Sequence, residues 1–372
     1  MMRALLVVFE WSRTGGLEGV TVEIAQALLD LGIHLDVWSI RDTETKVIDG
    51  IPSVGLAPRP RGFQSINARW FWKIRLSNSL VNICRSYDLL IVGHAHILPT
   101  LHRILKLENR PEIWTWTYGR EVWGNPGREV APYLDKVDRV VTISEFTRRE
   151  ISKYAPSAKT HVIPCALDVN RFVPAKDSSL INRNQVLCVG RLDKSAKYKG
   201  IDTLIRLLPS IEKTCGKALE LSIVGSGNDL NRLQEIADGL RLKGRVNFRG
   251  RLSFGELIEA YQTGAVFAMP SWVKEMADGS WTGEGFGRVY VEAQACGRPV
   301  VVSCHGGAPE TLQPNITGFL VDPTDTEEIV QVIARLLLDD VLADEMGKAG
   351  RRWVEQNFNF DLFRERIRVL LQ

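Results

Sequence analysis

Short apolar runs of β type, alternating with amphipathic helical stretches, leave a chain few folds to choose from. Such strands are apolar on both faces and need crossover helices to cover them. This sequence shows that alternation twice. Residues 3–9 form a buried β-type run, a Gly-bearing loop follows over 12–19, and residues 20–31 read as an amphipathic helix closed by Gly32. Residues 34–40, 89–92, 113–117 and 139–143 read as further strands. The pattern restarts near Asn184, with strands expected over 186–189, 219–224, 246–248, 265–269 and 300–303. Helices are expected between them over 200–213, 230–240 and 254–261, and a later one over 329–338. Ser253 with Glu256 is a capping-box signature, and Thr324 with Glu327 marks another helix start. Two α/β domains of doubly wound parallel sheet are therefore expected, over 1–173 and 184–352. A polar hinge lies near 173–183, and a helical tail over 353–372 is expected to return to the first domain. A length of 372 residues suits two such domains.

The sharpest chemical signal is the run Gly283-Glu284-Gly285-Phe286-Gly287-Arg288-Val289-Tyr290-Val291-Glu292. Its first carboxylate lies in a Gly-rich turn and its second about one turn into a helix. Gly285 and Gly287 allow backbone to approach a ligand, and a helix N-terminus favours an anion. A diphosphate on those N–H groups, with Glu292 accepting from ribose hydroxyls, fits the pattern. A plain loop followed by a solvated glutamate fits it too. The second signal is Val189-Gly190-Arg191-Leu192 followed by Lys199-Gly200, two cations just past a strand end, where open α/β sheets bind ligands. Both cations are expected to face phosphate, so that removing either should cost turnover with little loss of folding. Gly225-Ser226-Gly227 is not a dinucleotide fingerprint, because Leu230 replaces the third glycine; it reads as a tight turn or a phosphate contact. Gly15-Gly16 follows the first strand and offers backbone N–H groups. His94 and His96 follow another strand and are expected to line a cleft; at i,i+2 spacing they are no metal site without further ligands.

The net charge of +3 gives no case for nucleic acid, and none is expected as a partner. Local charge says more. Between Asp49 and Asp88 no acidic residue occurs, while Arg59, Arg61, Arg69, Lys73 and Arg75 surround Trp70, Phe71 and Trp72. That mixture suits an anionic membrane surface or a lipid-linked acceptor as well as it suits a packed core with a solvated basic face. The six cysteines show no zinc-like spacing and favour a reducing compartment. Neither a signal peptide nor an apolar stretch of spanning length is apparent. A cytoplasmic protein, peripheral on the inner face of the membrane, is the expectation. There is no Asp-x-Asp pair, and no bound metal or resident cofactor is expected.

Taken together, Gly15-Gly16, Ser144-Glu145-Phe146, Val162-Ile163-Pro164 with Leu167-Asp168, Val189-Gly190-Arg191, Lys199-Gly200, Gly225-Ser226-Gly227, Pro270-Ser271 and the Glu284…Glu292 pair resemble the retaining glycosyltransferases of family 4. They run in family order over nearly the whole chain. The resemblance implies the GT-B fold, two Rossmann-like domains facing a cleft, with the acceptor bound by the first and a nucleotide sugar by the second. It implies that Arg191 and Lys199 bind the donor diphosphate, that Glu292 binds the ribose, and that Glu284 sits beside the sugar. Backbone from Gly285 through Phe286, Gly287 and Arg288 to Val289 would hold sugar and phosphates, Gly225 would line the donor site, and Gly16 would face the diphosphate from the first domain. Two positions depart from the family. Tyr118-Gly119 stands where His-Gly is common, so a donor-sugar contact passes to the Tyr118 hydroxyl or is lost. Cys165-Ala166 stands where Asn-Gly is common. The implied activity is sugar transfer from a nucleotide sugar to a hydroxyl of a glycan or lipid-linked acceptor in cell-surface polysaccharide or glycolipid synthesis. A nucleotide-sugar epimerase of the same architecture and a non-catalytic sugar-nucleotide-binding protein are the alternatives.

Overall fold

The first apolar run forms β1 (Arg3–Val8), whose residues Ala4 to Val8 are all buried. A computed structural model describes residues 1–12, 15–56 and 77–372. The basic aromatic segment around Trp70 to Trp72 lies outside the described residues. After β1 come β2 (His34–Ser39), β3 (Lys46–Ile48), β4 (Ile51–Gly55), β5 (Leu89–Val92), β6 (Glu112–Thr117), β7 (Arg139–Thr142) and β8 (Thr160–Val162). They form one sheet in the order β3-β4-β2-β1-β5-β6-β7-β8, parallel except for β3 against β4. Pairing runs in direct register, with Val7 opposite Trp38 on one side and Val92 on the other.

The second sheet is wholly parallel and repeats the logic. Its strands are β9 (Asn182–Val189), β10 (Glu220–Val224), β11 (Val246–Gly250), β12 (Gly264–Met269), β15 (Val300–Ser303) and β16 (Gly318–Val321), in the order β11-β10-β9-β12-β15-β16. A two-residue ribbon, β13 (Lys274–Glu275) with β14 (Trp281–Thr282), interrupts the crossover from β12 to β15. Every residue of β12 is buried, as a central strand covered on both faces requires. Ile201, Leu204, Ile205, Leu208 and Ile211 share one buried stripe of the helix Ile201–Cys215, at the spacing that lays a helix on a sheet.

In each sheet the order of strands reverses beside the first strand of that sheet. The chain leaves β1 toward β2 and later returns to place β5 on its other side; it leaves β9 toward β10 and returns with β12. Loops after such neighbours part in opposite directions and leave a crevice at the carboxyl ends of the strands.

The chain divides into two units. One comprises Met1–Ala166, Ala277–Ser280 and Phe360–Gln372; the other comprises Leu167–Met276 and Trp281–Asn359. The first crossing thus falls at Ala166 and Leu167, ahead of the polar stretch 173–183 read as a hinge. Residues following Leu167 are held inside the second unit. The Leu167 N–H donates to the Phe358 carbonyl at 2.7 Å, Arg351 donates to the Val169 carbonyl, and Gln262 donates to the Val173 carbonyl. The same anchor breaks the expected single tail helix into Asp340–Asn357 and Phe360–Leu370, because buried Phe358 packs against Phe286 and Trp353. The last helix lies in the first unit, where Arg364 pairs with Asp30.

Other boundaries shifted for local reasons. The first helix starts at Gly16, four residues early, since the Gly19 N–H already closes a turn on the Gly15 carbonyl. Ser253 and Glu256 form the expected capping box. Asp325, one residue beyond Thr324, caps the helix Thr326–Leu338 through the Glu328 N–H, while Thr324 is engaged with Asp322.

The turns after β9 and β10 cross at van der Waals distance. Gly190 donates to the Val224 carbonyl, Leu192 donates to the Ser226 carbonyl, and a Cβ on Gly225 would stand 1.8 Å from the Gly190 carbonyl oxygen. Gly225 also has φ +142. Gly225-Ser226-Gly227 therefore acts at least as a close-packing turn. Gly244, with φ +79 and nothing near its missing Cβ, isolates the backbone effect. Gly244→Ala should cost about 1–2 kcal/mol. Gly225→Ala should cost at least twice that, because backbone must also move. Equal losses in thermal and urea denaturation would show that the two turns separate freely.

Candidate active site

Just past β9, Gly190 leaves room for the stem of Lys199, whose Cδ would lie 2.8 Å from any Cβ added there. Lys199 ends the 3-10 turn Lys194–Lys199, and only 8% of the residue is exposed. Its Nζ lies 2.8 Å from Glu284 Oε2 and 3.9 Å from Met269 Sδ. Burial opposes the lysine charge, but the adjoining Glu284 carboxylate outweighs it and raises the ammonium above its ordinary range. Lys199 is thus a buried, permanently charged partner of Glu284. Arg191, by contrast, keeps 64% of its side chain exposed, and its Nη1 is 4.0 Å from Asp193. The two cations expected from the sequence to face phosphate therefore differ in exposure and partner. The expectation that Lys199 is dispensable for folding is corrected by its burial.

Glu284 belongs to the loop after β14, and its carbonyl accepts from the Gly307 N–H at 3.1 Å. Gly287, with φ +96, caps the helix Arg288–Ala295. Phe286 turns its ring inward, 2% exposed and 5.6 Å from Phe358, so only its backbone is placed for a ligand. One helical turn on, Glu292 is 9% exposed. Tyr261 Oη donates to its Oε2 at 2.8 Å and Arg288 Nε donates to its Oε1 at 3.2 Å. Sequence reasoning missed Tyr261, which reads there as one apolar position of an amphipathic helix. Arg191, Lys199, Glu284, Arg288 and Glu292 all stand on loops and helix starts that follow β9 and β14 within the second unit.

In the first unit, the crevice beside β1 holds a cavity of about 230 Å³ lined by Phe9, Glu10, Glu18, Arg41, His94 and His96 among others. Gly16 opens the neighbouring helix Gly16–Asp30 and is exposed. His94 Nδ1 accepts from the His96 N–H at 3.1 Å, which leaves the proton of the neutral ring on Nε2. Burial, aided by His96 and Arg41, presses the imidazole down to about 3. His94 is accordingly a neutral hydrogen-bond donor at ordinary pH. Tyr118 stands 6.3 Å away, ring to ring, with its hydroxyl enclosed and without a hydrogen-bond partner among the described residues. Its backbone N–H donates to Glu121. Burial raises the Tyr118 phenol well above 10, with smaller contributions from Cys165 and Glu121. Among the described residues no three His, Cys, Asp or Glu side chains gather into a potential metal site. None of the described helices is long and apolar enough to cross a membrane.

Comparison with known proteins places this geometry. Residues 14–171 match Glycosyltransferase Family 4, and residues 173–353 match Glycosyl transferases group 1. The GDP-mannose-dependent alpha-(1-6)-phosphatidylinositol monomannoside mannosyltransferase of Mycobacterium tuberculosis (strain ATCC 25618 / H37Rv) is 35% identical over 293 residues, covering 75% of this chain and 74% of that one. The GDP-mannose-dependent monoacylated alpha-(1-6)-phosphatidylinositol monomannoside mannosyltransferase of Corynebacterium glutamicum is 32% identical over 303 residues, covering 77% of each chain. The chain belongs to glycosyltransferase family 4. Its GT-B fold is shared with sucrose-phosphate synthase from Thermosynechococcus elongatus, at a TM-score of 0.83 and 21% identity, over 100% of this chain and 98% of that one. This glycosyltransferase has the α/β architecture that its sequence implies, and neither the epimerase nor the non-catalytic alternative is needed.

Two measurements test the local electrostatics. Glu284→Gln and Lys199→Met should each destabilise by about 3–5 kcal/mol, the range for stranding one buried charge. The double variant should lose clearly less than the sum; additive losses would show that the pair carries no coupling. His94 is neutral when folded but protonates near 6.5 when unfolded. The unfolded state therefore takes up the proton first, and stability should fall as pH drops from 6.5 toward about 3. The contribution is about 1.4 kcal/mol per pH unit. His94→Asn should remove that slope in denaturation between pH 6 and 4. An unchanged slope would mean that His94 is accessible to protons in the folded protein.

Proposed function

We infer that this glycosyltransferase moves mannose from GDP-mannose, with retention of configuration, to a hydroxyl of a polyol-headed lipid acceptor in the cell envelope. The observation that carries the reading is the join of Lys199 to Glu284 beside exposed Arg191 and the Gly-rich helix start that leads to Glu292. This arrangement provides, in one place, an exposed guanidinium fork for a diphosphate, a fixed cation, helix N–H groups and a carboxylate for a ribose. Relatives named for GDP-mannose and phosphatidylinositol mannosides support the choice of sugar, base and acceptor.

In the proposed reaction the bond from sugar C1 to the diphosphate oxygen breaks, and its electron pair leaves with the phosphate. The acceptor oxygen bonds C1 from the same face, and its proton passes to the departing phosphate oxygen. Arg191 stabilises the charge that develops there, as do the N–H groups from Gly285 to Val289. Lys199 adds a charge that never leaves the site and fixes Glu284 toward the sugar hydroxyls. Glu284 and Glu292 are each engaged by a neighbouring cation, which suits hydroxyl recognition better than an acid and base pair. We assign the first-unit cavity to the acceptor, with the His94 Nε2–H and the Glu10 and Glu18 carboxylates meeting its hydroxyls and Tyr118 backing His94. Gly16 is assigned to the diphosphate, Gly225 to shaping the donor loop, and the reaction to a metal-free route. The protein acts at the inner face of the membrane, using the segment around Trp70 and Lys73.

The test is nucleotide release from GDP-mannose, UDP-glucose and UDP-N-acetylglucosamine, with and without phosphatidylinositol mannoside, in EDTA and in manganese. Acceptor-dependent release from GDP-mannose that survives EDTA, with an α-linked product by NMR, is expected. Arg191→Ala should slow it by about 2–4 kcal/mol in barrier while leaving stability nearly unchanged. Preference for a UDP-sugar would overturn the donor, and loss in EDTA restored by manganese would overturn the metal-free route.

A further inference from the structure

Glu292 faces two ways. Its Oε1 is approached from its own helix by Arg288, and its Oε2 is held from another element by Tyr261. Tyr261 sits near the end of the helix Phe254–Thr263 and is completely buried. Its ring is fixed from two sides, by Phe267 at 5.9 Å and Phe172 at 6.3 Å. Phe172 is held in turn by Phe254 at 5.3 Å. The ring packed in this way directs its hydroxyl at the Glu292 carboxylate. Burial, reinforced by that carboxylate, pushes the phenol well above 10, so the group always donates. Each carboxylate oxygen has two acceptor sites. With one on each oxygen occupied, the plane of the carboxylate is set and one acceptor site is left on each oxygen, enough for one hydroxyl apiece.

We propose that Tyr261 is a positioning residue that orients Glu292 for bidentate recognition of the vicinal hydroxyls of a ribonucleotide. The assignment rests on Glu292 being the ribose ligand. Without the Tyr261 hydroxyl, Oε2 loses a charge-assisted hydrogen bond from a completely buried donor. The carboxylate must then rotate or share Arg288 between both oxygens, and either change spoils the paired contact.

The experiment is calorimetric titration of the full chain with GDP and UDP, each against its 2′,3′-dideoxy form. The wild type should prefer the better-binding ribonucleotide over its dideoxy form by at least about tenfold, as expected for two hydrogen bonds to a charged acceptor. Tyr261→Phe keeps the ring and should shrink that preference by about three- to tenfold. Affinity for the dideoxy nucleotide should stay unchanged, and KM for the sugar donor should rise with kcat within about twofold. Phe267→Leu disturbs the same aromatic packing without touching the hydroxyl; it should lower stability and leave the preference intact. Glu292→Gln separates the two levels of the argument. If that variant keeps the full preference, or the wild type shows none, Glu292 is not the ribose ligand and both readings fall. If Glu292→Gln abolishes the preference while Tyr261→Phe retains it in full, the ribose reading stands and the role of Tyr261 is overturned.

Discussion

Lys199 and Glu284 are 85 residues apart in the chain and 2.8 Å apart in space, with a buried lysine and a largely shielded carboxylate. A buried ion pair adds little net stability, since desolvation offsets most of the attraction. Its value is in what it fixes. One partner follows β9 and the other follows β14, so the pair ties the loop with Arg191 to the loop that begins the Glu292 helix. If either charge is stranded, both loops lose their reference point. The crossing of the β9 and β10 turns at Gly190 and Gly225 supports the same place from the other side, and it makes room for the lysine stem.

A lysine placed this way has a different task from an exposed arginine. Arg191 is largely solvated, with only a loose contact to Asp193 at 4.0 Å, and under the proposed function it would fork onto phosphate oxygens as they arrive. Lys199 cannot move without leaving Glu284 uncompensated. Its field is therefore already in place before charge develops on a leaving group, which is the condition under which a fixed charge lowers a barrier most effectively. The cost falls on folding, because the lysine must be desolvated to make the pair.

Most of the architecture was legible because it follows from periodicity. Continuous apolar runs such as 265–269 and 300–303 have no solvent face to offer, so a parallel sheet under helices is nearly forced. The Asp49-Gly50 turn between β3 and β4 is a standard hairpin signal, with positive φ at both residues, yet the flanking strands are too short and too polar to stand out. The chain crossing at Ala166 was hidden because it depends on a hydrogen bond to Phe358, far along the sequence. In the site, the motif glycines and charges announce themselves by type and spacing. What they cannot announce is partnership across elements. The burial of Lys199, the inward turn of Phe286 and the hold of Tyr261 on Glu292 are all long-range facts.

The two sheets also show how a shared topology yields opposite electrostatics. His94 follows β5 and Lys199 follows β9, each in the crevice beside a sheet's reversal point. Burial disfavours charge on both. Lys199 keeps its proton because a carboxylate touches its Nζ. His94 gives up its second proton because burial is met by no compensating carboxylate contact among the described residues, with His96 and Arg41 adding to the effect, and the His96 N–H occupies Nδ1. One crevice therefore offers a permanent cation, suited to a phosphate, and the other a neutral donor, suited to a hydroxyl. A neutral imidazole with Nδ1 already accepting has no free lone pair in the ring plane with which to take a proton from that hydroxyl. Under the proposed function, His94 would therefore orient an acceptor hydroxyl by donating to it, and deprotonation of that hydroxyl would fall to another group.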